Sequence, residues 1–156
     1  MREIDRILDQ MDRAFSGDAW HGPSLMHAID GIPAEEASKH PIRGAHSIWE
    51  LVHHASSWNS IVLHRLQGEE VKVTGERDWP PVWEVSEAAW KRAVENLSES
   101  YARLREAVAK IPDELLDRVD QRTSGADTSR YMVLHGMIQH NSYHAGQIAI
   151  LKKALS

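Results

Sequence analysis

The sequence predicts an all-α fold, a four-helix bundle with short extra helical turns in its loops. Three observations carry this. Four long segments repeat apolar residues every three to four positions, the period of a helix with one buried face. Capping and breaking residues stand at the ends of those segments. No stretch reads convincingly as a strand, and there is no internal repeat. At 156 residues the chain fits one domain, residues 1–156, with room for one substantial core.

The first helix is expected over residues 2–16, where Ile4, Ile7, Leu8, Met11 and Phe15 share a face. Gly17 and Gly22-Pro23 break it, and a shorter helical piece covers 23–30. The second helix starts near Ser47. Ser47 and Glu50 fit a capping box, and Gly68 suits the position just past the helix end. Residues 69–85, with "DWPPVW", read as a long loop. The third helix starts at Ser86, with Glu87 in its first turn, and runs to about Lys110, where Ile111-Pro112 ends it. "PDELLD" is one helical turn and "QRTSGADT" a loop. The fourth helix starts near Asp127 or Thr128 and runs to the C-terminus.

Composition narrows the function. Hydrophobic residues make up 42% and charged residues 26%, an ordinary profile for a soluble globular chain. The formal charge of −5, without a basic stripe, argues against nucleic acid as a partner. The absence of cysteine excludes disulfides, thiolate ligands and a cysteine nucleophile, so any metal must be held by His, Asp, Glu or water. There is no apolar run of about 18 residues, so no membrane span is expected. The segment MREIDRILDQMDRAF is charged throughout and lacks a signal-peptide core, which makes the cytoplasm the expected compartment.

Ten histidines and six tryptophans are both high counts for this length. The segment "QHNSYHAGQIAILKKAL" sets His140 and His144 one turn apart. Scattering ten histidines at random gives roughly 0.6 such pairs, so the face matters more than the spacing. At about 100° per residue, Val133, Met137, His144, Gln147, Ile148 and Leu151 all fall within about 80° of His140. Both imidazoles and Gln147 therefore sit mid-stripe on the inward face. Residues at i and i+4 lie about 5–6 Å apart at Cβ, close enough for two rings to converge on one ion.

A third ligand comes from "SIWELVHHASSW" on the second helix. His54 shares a face with Leu51, Trp58 and Ile61, whereas His53 falls among Trp49, Ser57, Ser60 and His64. His54 is therefore the inward one. Three histidines from two helices leave coordination positions open for water or substrate, which is a catalytic rather than a structural arrangement. Trp58 is one turn beyond His54, and Trp79 and Trp83 in the long loop could cap a pocket. His21, His27, His40, His46, His64 and His135 lie on polar faces or in loops, away from this group. A second apolar stripe on the last helix, formed by Leu134, Ile138, Ala145 and Ala149, fits either a homodimer interface or cover from the 23–30 piece.

The sequence resembles the DinB/YfiT-like family of metal-binding four-helix bundles over nearly its whole length. The resemblance is most specific in "SIWELVHHASSW" and "HGMIQHNSYHAGQIAILKKAL". It implies that His54, His140 and His144 are the metal ligands, with Gly146-Gln147-Ile148 completing the signature. Some relatives are S-transferases, or an isomerase, that use a low-molecular-weight thiol.

The leading expectation is a metal-dependent enzyme of transferase or hydrolase type acting on a small-molecule substrate. A divalent ion, zinc or nickel, would activate water or a thiol. Gln147 and Trp58 would support the ligands or contact substrate. Glu50 is a candidate base, though its capping role explains it. The alternatives are a non-catalytic metal- or small-molecule-binding stress-response protein and a bundle whose histidines only pack.

Overall fold

A computed structural model describes residues 1–123 and 126–156. Its long helices are α1 (Glu3–Phe15), α4 (Ile48–Leu66), α6 (Glu87–Ala109) and α7 (Arg130–Leu155), with short helices α2 (Leu25–Ile29), α3 (Ala34–Ala37) and α5 (Gly75–Asp78) in the connections. Each of α1 and α4 packs on both α6 and α7, so the four long helices form a ring with α1 and α4 at opposite corners. The fold is the expected all-α bundle. None of the described helices is long and apolar enough to cross a membrane.

Local chemistry sets the helix ends. Ser47 accepts a hydrogen bond from the Glu50 amide at 3.1 Å, and the Glu50 carboxylate accepts from the Ser47 amide at 2.8 Å. This is the reciprocal capping box expected at the start of α4. Gly68 has φ +86°, the left-handed value that a glycine just past a helix end supplies without strain. Ser86 and Ser129 cap α6 and α7 with their hydroxyls alone, accepting from the Ala89 and Met132 amides. Replacing the buried Ser47 by alanine should cost about 1 kcal/mol, read as a lower urea midpoint with an unchanged slope.

The core is built from the apolar faces of the four long helices. Ile4, Ile7, Leu8, Met11 and Phe15 of α1 are all buried, together with Leu51 and Ile61 of α4, Leu97 and Leu104 of α6, and Leu134, Ile148 and Leu151 of α7. The second apolar stripe of α7 is covered within the chain, because α1 and α2 both pack on α7. Leu134 and Ala145 are buried there, and the Lys152 ammonium donates to the Ala28 and Asp30 carbonyls at 3.4 and 3.3 Å.

Three sequence expectations are corrected. Strands are present: β1 (Val119–Thr123) and β2 (Ala126–Ser129) pair antiparallel where a loop was expected. Of that loop reading, Ser124 and Gly125 lie outside the described residues. Helix α7 consequently begins at Arg130 rather than at Asp127 or Thr128, with Ser129 as its cap. The 69–85 loop also contains α5, capped by the Thr74 hydroxyl.

The hairpin and α7 are locked by a buried ion pair. The Arg130 guanidinium donates through Nε to Asp120, through Nη2 to the same carboxylate at 3.0 Å, and to the Leu66 carbonyl at 3.3 Å. Both side chains of the pair are about nine-tenths buried.

Candidate metal centre

Helices α4 and α7 face one another, and three histidines meet between them. His140 Nε2 lies 3.0 Å from His54 Nε2 and 3.0 Å from His144 Nε2. One ring nitrogen from each residue lies within 4.8 Å of the others, so the three can hold one ion. His54 and His144 are buried, and His140 is partly buried beside them. The helical faces thus bring together the three residues expected from the sequence.

Neighbouring acceptors fix which nitrogen carries the proton. His54 Nδ1 lies 2.7 Å from the Asp78 carbonyl and 3.2 Å from its carboxylate. Both partners only accept, so Nδ1 carries the proton and Nε2 presents a lone pair. His144 Nδ1 donates to Gln147 Oε1 at 2.6 Å, which leaves its Nε2 lone pair facing His140 as well. Two lone pairs therefore converge on one nitrogen of His140, whose single proton could satisfy only one of them. His140 Nδ1 is buried without a partner among the described residues.

This donor set fits a cation better than it fits itself. Two imidazole nitrogens about 2.1 Å from one ion stand about 3.0–3.4 Å apart for angles from 90° to tetrahedral, close to the 3.0 Å spacing found here. Burial opposes protonation of all three rings. It pushes His140 down to about 3, with the neighbouring His144 and His54 adding to the effect, and His144 to about 4 despite its bond to Gln147. His54 is lowered for the same reason, against the opposing pull of Asp78. The His140 and His144 rings thus remain neutral, as metal ligands must be, well below neutral pH.

The sign of the pH dependence follows. An unfolded histidine takes up its proton near pH 6.5, whereas His144 and His140 resist protonation until about 4 and 3. Acid therefore favours the unfolded chain across that window. The metal-free protein should lose thermal stability as pH falls from about 6.5 towards 4. Melts in a pH series check this, and the slope should flatten in H140A.

Loop residues 77–80 complete the site. Ser57 donates to the Arg77 carbonyl, His54 to the Asp78 carbonyl, and His53 Nδ1 to the Pro80 carbonyl at 3.2 Å. The Trp58 indole donates to the Asp78 carboxylate at 2.8 Å, and its ring stands 6.0 Å from that of His140. The Trp79 ring stacks 3.9 Å from His54 on one face and 3.5 Å from His46 on the other. This covers the flat side of one candidate ligand.

Trp58, Gln147 and Trp79 thus stand beside the three histidines. Trp83 does not: it is 88% exposed and lines a different cleft with His53, Pro80 and Pro81. Glu50 is occupied by its capping bonds, and its carboxylate lies 3.0 and 3.3 Å from His40 and His46. Sequence reasoning missed Asp78, the stacking role of His46 and the tether made by His53. The pairing of two adjacent histidines with Ser57 and Trp58 one turn on was the available signal.

The fold has a solved counterpart. A crystal structure described as the conserved protein of locus from Enterococcus faecalis superposes with a TM-score of 0.73 at 15% identity, covering 99% of this chain and 98% of that one. No curated protein matches the sequence. The sequence model of the DinB superfamily matches residues 19–148, a span holding all three histidines and Gln147, and the chain belongs to that superfamily.

Proposed function

We propose that the protein is a metal-dependent enzyme of transferase or hydrolase type, with His54, His140 and His144 as ligands of one divalent ion, zinc or nickel. The observation that carries this reading is the convergence of the three Nε2 atoms, two of them with their protons held on the far nitrogen by Asp78 and Gln147. Three protein ligands leave room for a water, a low-molecular-weight thiol or a substrate atom. An ion bound there would supply Lewis acidity, lowering the pKa of such a group so that it attacks at neutral pH.

The chain's own residues do the rest. Asp78 and Gln147 orient two rings and make their lone pairs more basic. Trp79 covers His54, and Trp58 walls the side towards His140. Among the described residues no carboxylate joins the three histidines as a candidate ligand, and the nearest one named here, Asp78, faces His54 Nδ1 instead.

Elemental analysis of untagged protein tests the reading. The wild type should carry about one equivalent of metal, and the H54A/H140A/H144A variant none. The loaded protein should then turn over a small electrophile or ester with water or a small thiol, and the variant should not. A wild type that stays empty after incubation with zinc and nickel would remove the chemistry.

A further inference from the structure

A cavity of about 290 Å³ opens between α4 and α7 next to the histidines. Trp58, Val62, Val133 and Met137 give it apolar walls, His140 stands at one end and Arg65 also lines it. That volume is close to the lower limit for small-molecule sites, about 300 Å³.

Arg65 has no business there as an ion pair. Its Nη2 donates to the Val71 carbonyl at 3.4 Å, and its guanidinium lies 5.8 Å from the Trp58 ring centre. Nε is buried without an acceptor among the described residues. No carboxylate among the described residues pairs with it. The nearby charge of Arg77 opposes Arg65 rather than offsetting it. An unpaired guanidinium at an apolar cavity, in a chain of net charge −5, is a binding group for an anion.

Gly136 adds an independent observation. It lies inside α7 and lines the same cavity, and a Cβ built there meets nothing within 4 Å. Glycine inside a helix costs about 1 kcal/mol relative to alanine, and no neighbour requires it here. Its effect is to leave the cavity open.

We propose that this cavity binds a small monocarboxylate with an apolar body, its carboxylate on Arg65, its body against Val62, Val133 and Met137, and its far end at His140. Its role as the substrate class rests on the metal-enzyme reading, while its binding does not. A planar guanidinium matches a carboxylate edge to edge. A phosphate dianion would bring a second charge that the other polar lining groups, Thr128 and His140, do not offset.

The test uses hexanoate as probe, with hexanamide and hexan-1-ol as uncharged controls, titrated by NMR amide shifts into wild type, R65Q and G136L. Each protein is studied metal-free and zinc-loaded, with zinc content measured on the same samples. Hexanoate should shift the amides of Val133, Gly136 and Met137 in both forms of the wild type. R65Q should weaken it at least tenfold without changing zinc content. G136L should fold, keep its zinc and lose the probe, and the uncharged controls should bind at least tenfold more weakly than hexanoate. Equal binding of hexanoate by R65Q, or of hexanamide and hexanoate by the wild type, would overturn the proposal. Absence of zinc from wild type that still binds hexanoate through Arg65 would overturn the metal reading alone.

Discussion

Metal-free H140A should melt close to metal-free wild type and gain nothing from zinc, whereas the wild type gains strongly. In the metal-free wild type, His140 contributes little net stability. Its Nδ1 is buried without a partner among the described residues, and its Nε2 meets two lone pairs at 3.0 Å. Removing the ring loses packing but also removes this conflict. Zinc in thousandfold excess over its dissociation constant would stabilise the wild type by about 4 kcal/mol. For a chain of this size each kcal/mol moves the midpoint by about 2–4 °C, so the expected gain is roughly 8–16 °C. Thermal melts of both proteins, with chelator and with zinc, measure it. A zinc-induced rise in H140A equal to that of wild type would show that His140 is not a ligand. An unfolded H140A beside a folded metal-free wild type would make the ring structural.

The largest loss of stability should come from Asp120, far from the histidines. Arg130 sits in the first turn of α7, where the helix dipole opposes a positive charge. It is about nine-tenths buried, and Asp120 is its only carboxylate partner among the described residues. Asp120 also holds Arg118 at 2.8 Å. D120A leaves the Arg130 cation buried and uncompensated, a change that costs about 3–5 kcal/mol. The midpoint should fall by roughly 6–20 °C, and D120N should lie between the two. Replacing the pair together, as D120L/R130M, should recover most of the loss, because a buried pair is worth little more than apolar residues of similar shape. A loss below 1 kcal/mol in D120A would show that solvent reaches Arg130 freely.

The contrast between these two sites explains how much was legible in the sequence. His140, His144 and Gln147 lie within two turns of one helix, so their common face follows from the helical period alone. His54 needed only the choice between two adjacent residues, and Leu51 and Ile61 on its face made that choice. The buried faces of α1 and α7 follow from the same period. Asp120 and Arg130 were silent because their pairing depends on a hairpin. The strand segments VDQRT and ADTS are polar and short, and they carry no alternating apolar pattern. Asp113, which accepts from the Glu3 and Ile4 amides at 2.7 and 3.0 Å, caps α1 from some 110 residues away. No local pattern announces such a partner. The loop bonds to His53 and His54 escaped for a related reason: their acceptors are backbone carbonyls, which every residue possesses.

That last property has a consequence for how the protein can diversify. The tether from α4 reads the path of the chain at Arg77, Asp78 and Pro80 through main-chain oxygens, and the side chains at positions 77 and 80 take no part in it. Of loop residues 77–80, Asp78 and Trp79 contribute side chains to the histidine group. The loop can therefore accept new residues around those two while the His54 proton stays on Nδ1. A library randomised at 77 and 80–85 would vary the loop and the neighbouring cleft lined by Pro80, Pro81 and Trp83, and leave the ligand geometry alone. Inheritance of the site and exploration of new substrates are thus assigned to different atoms of the same segment.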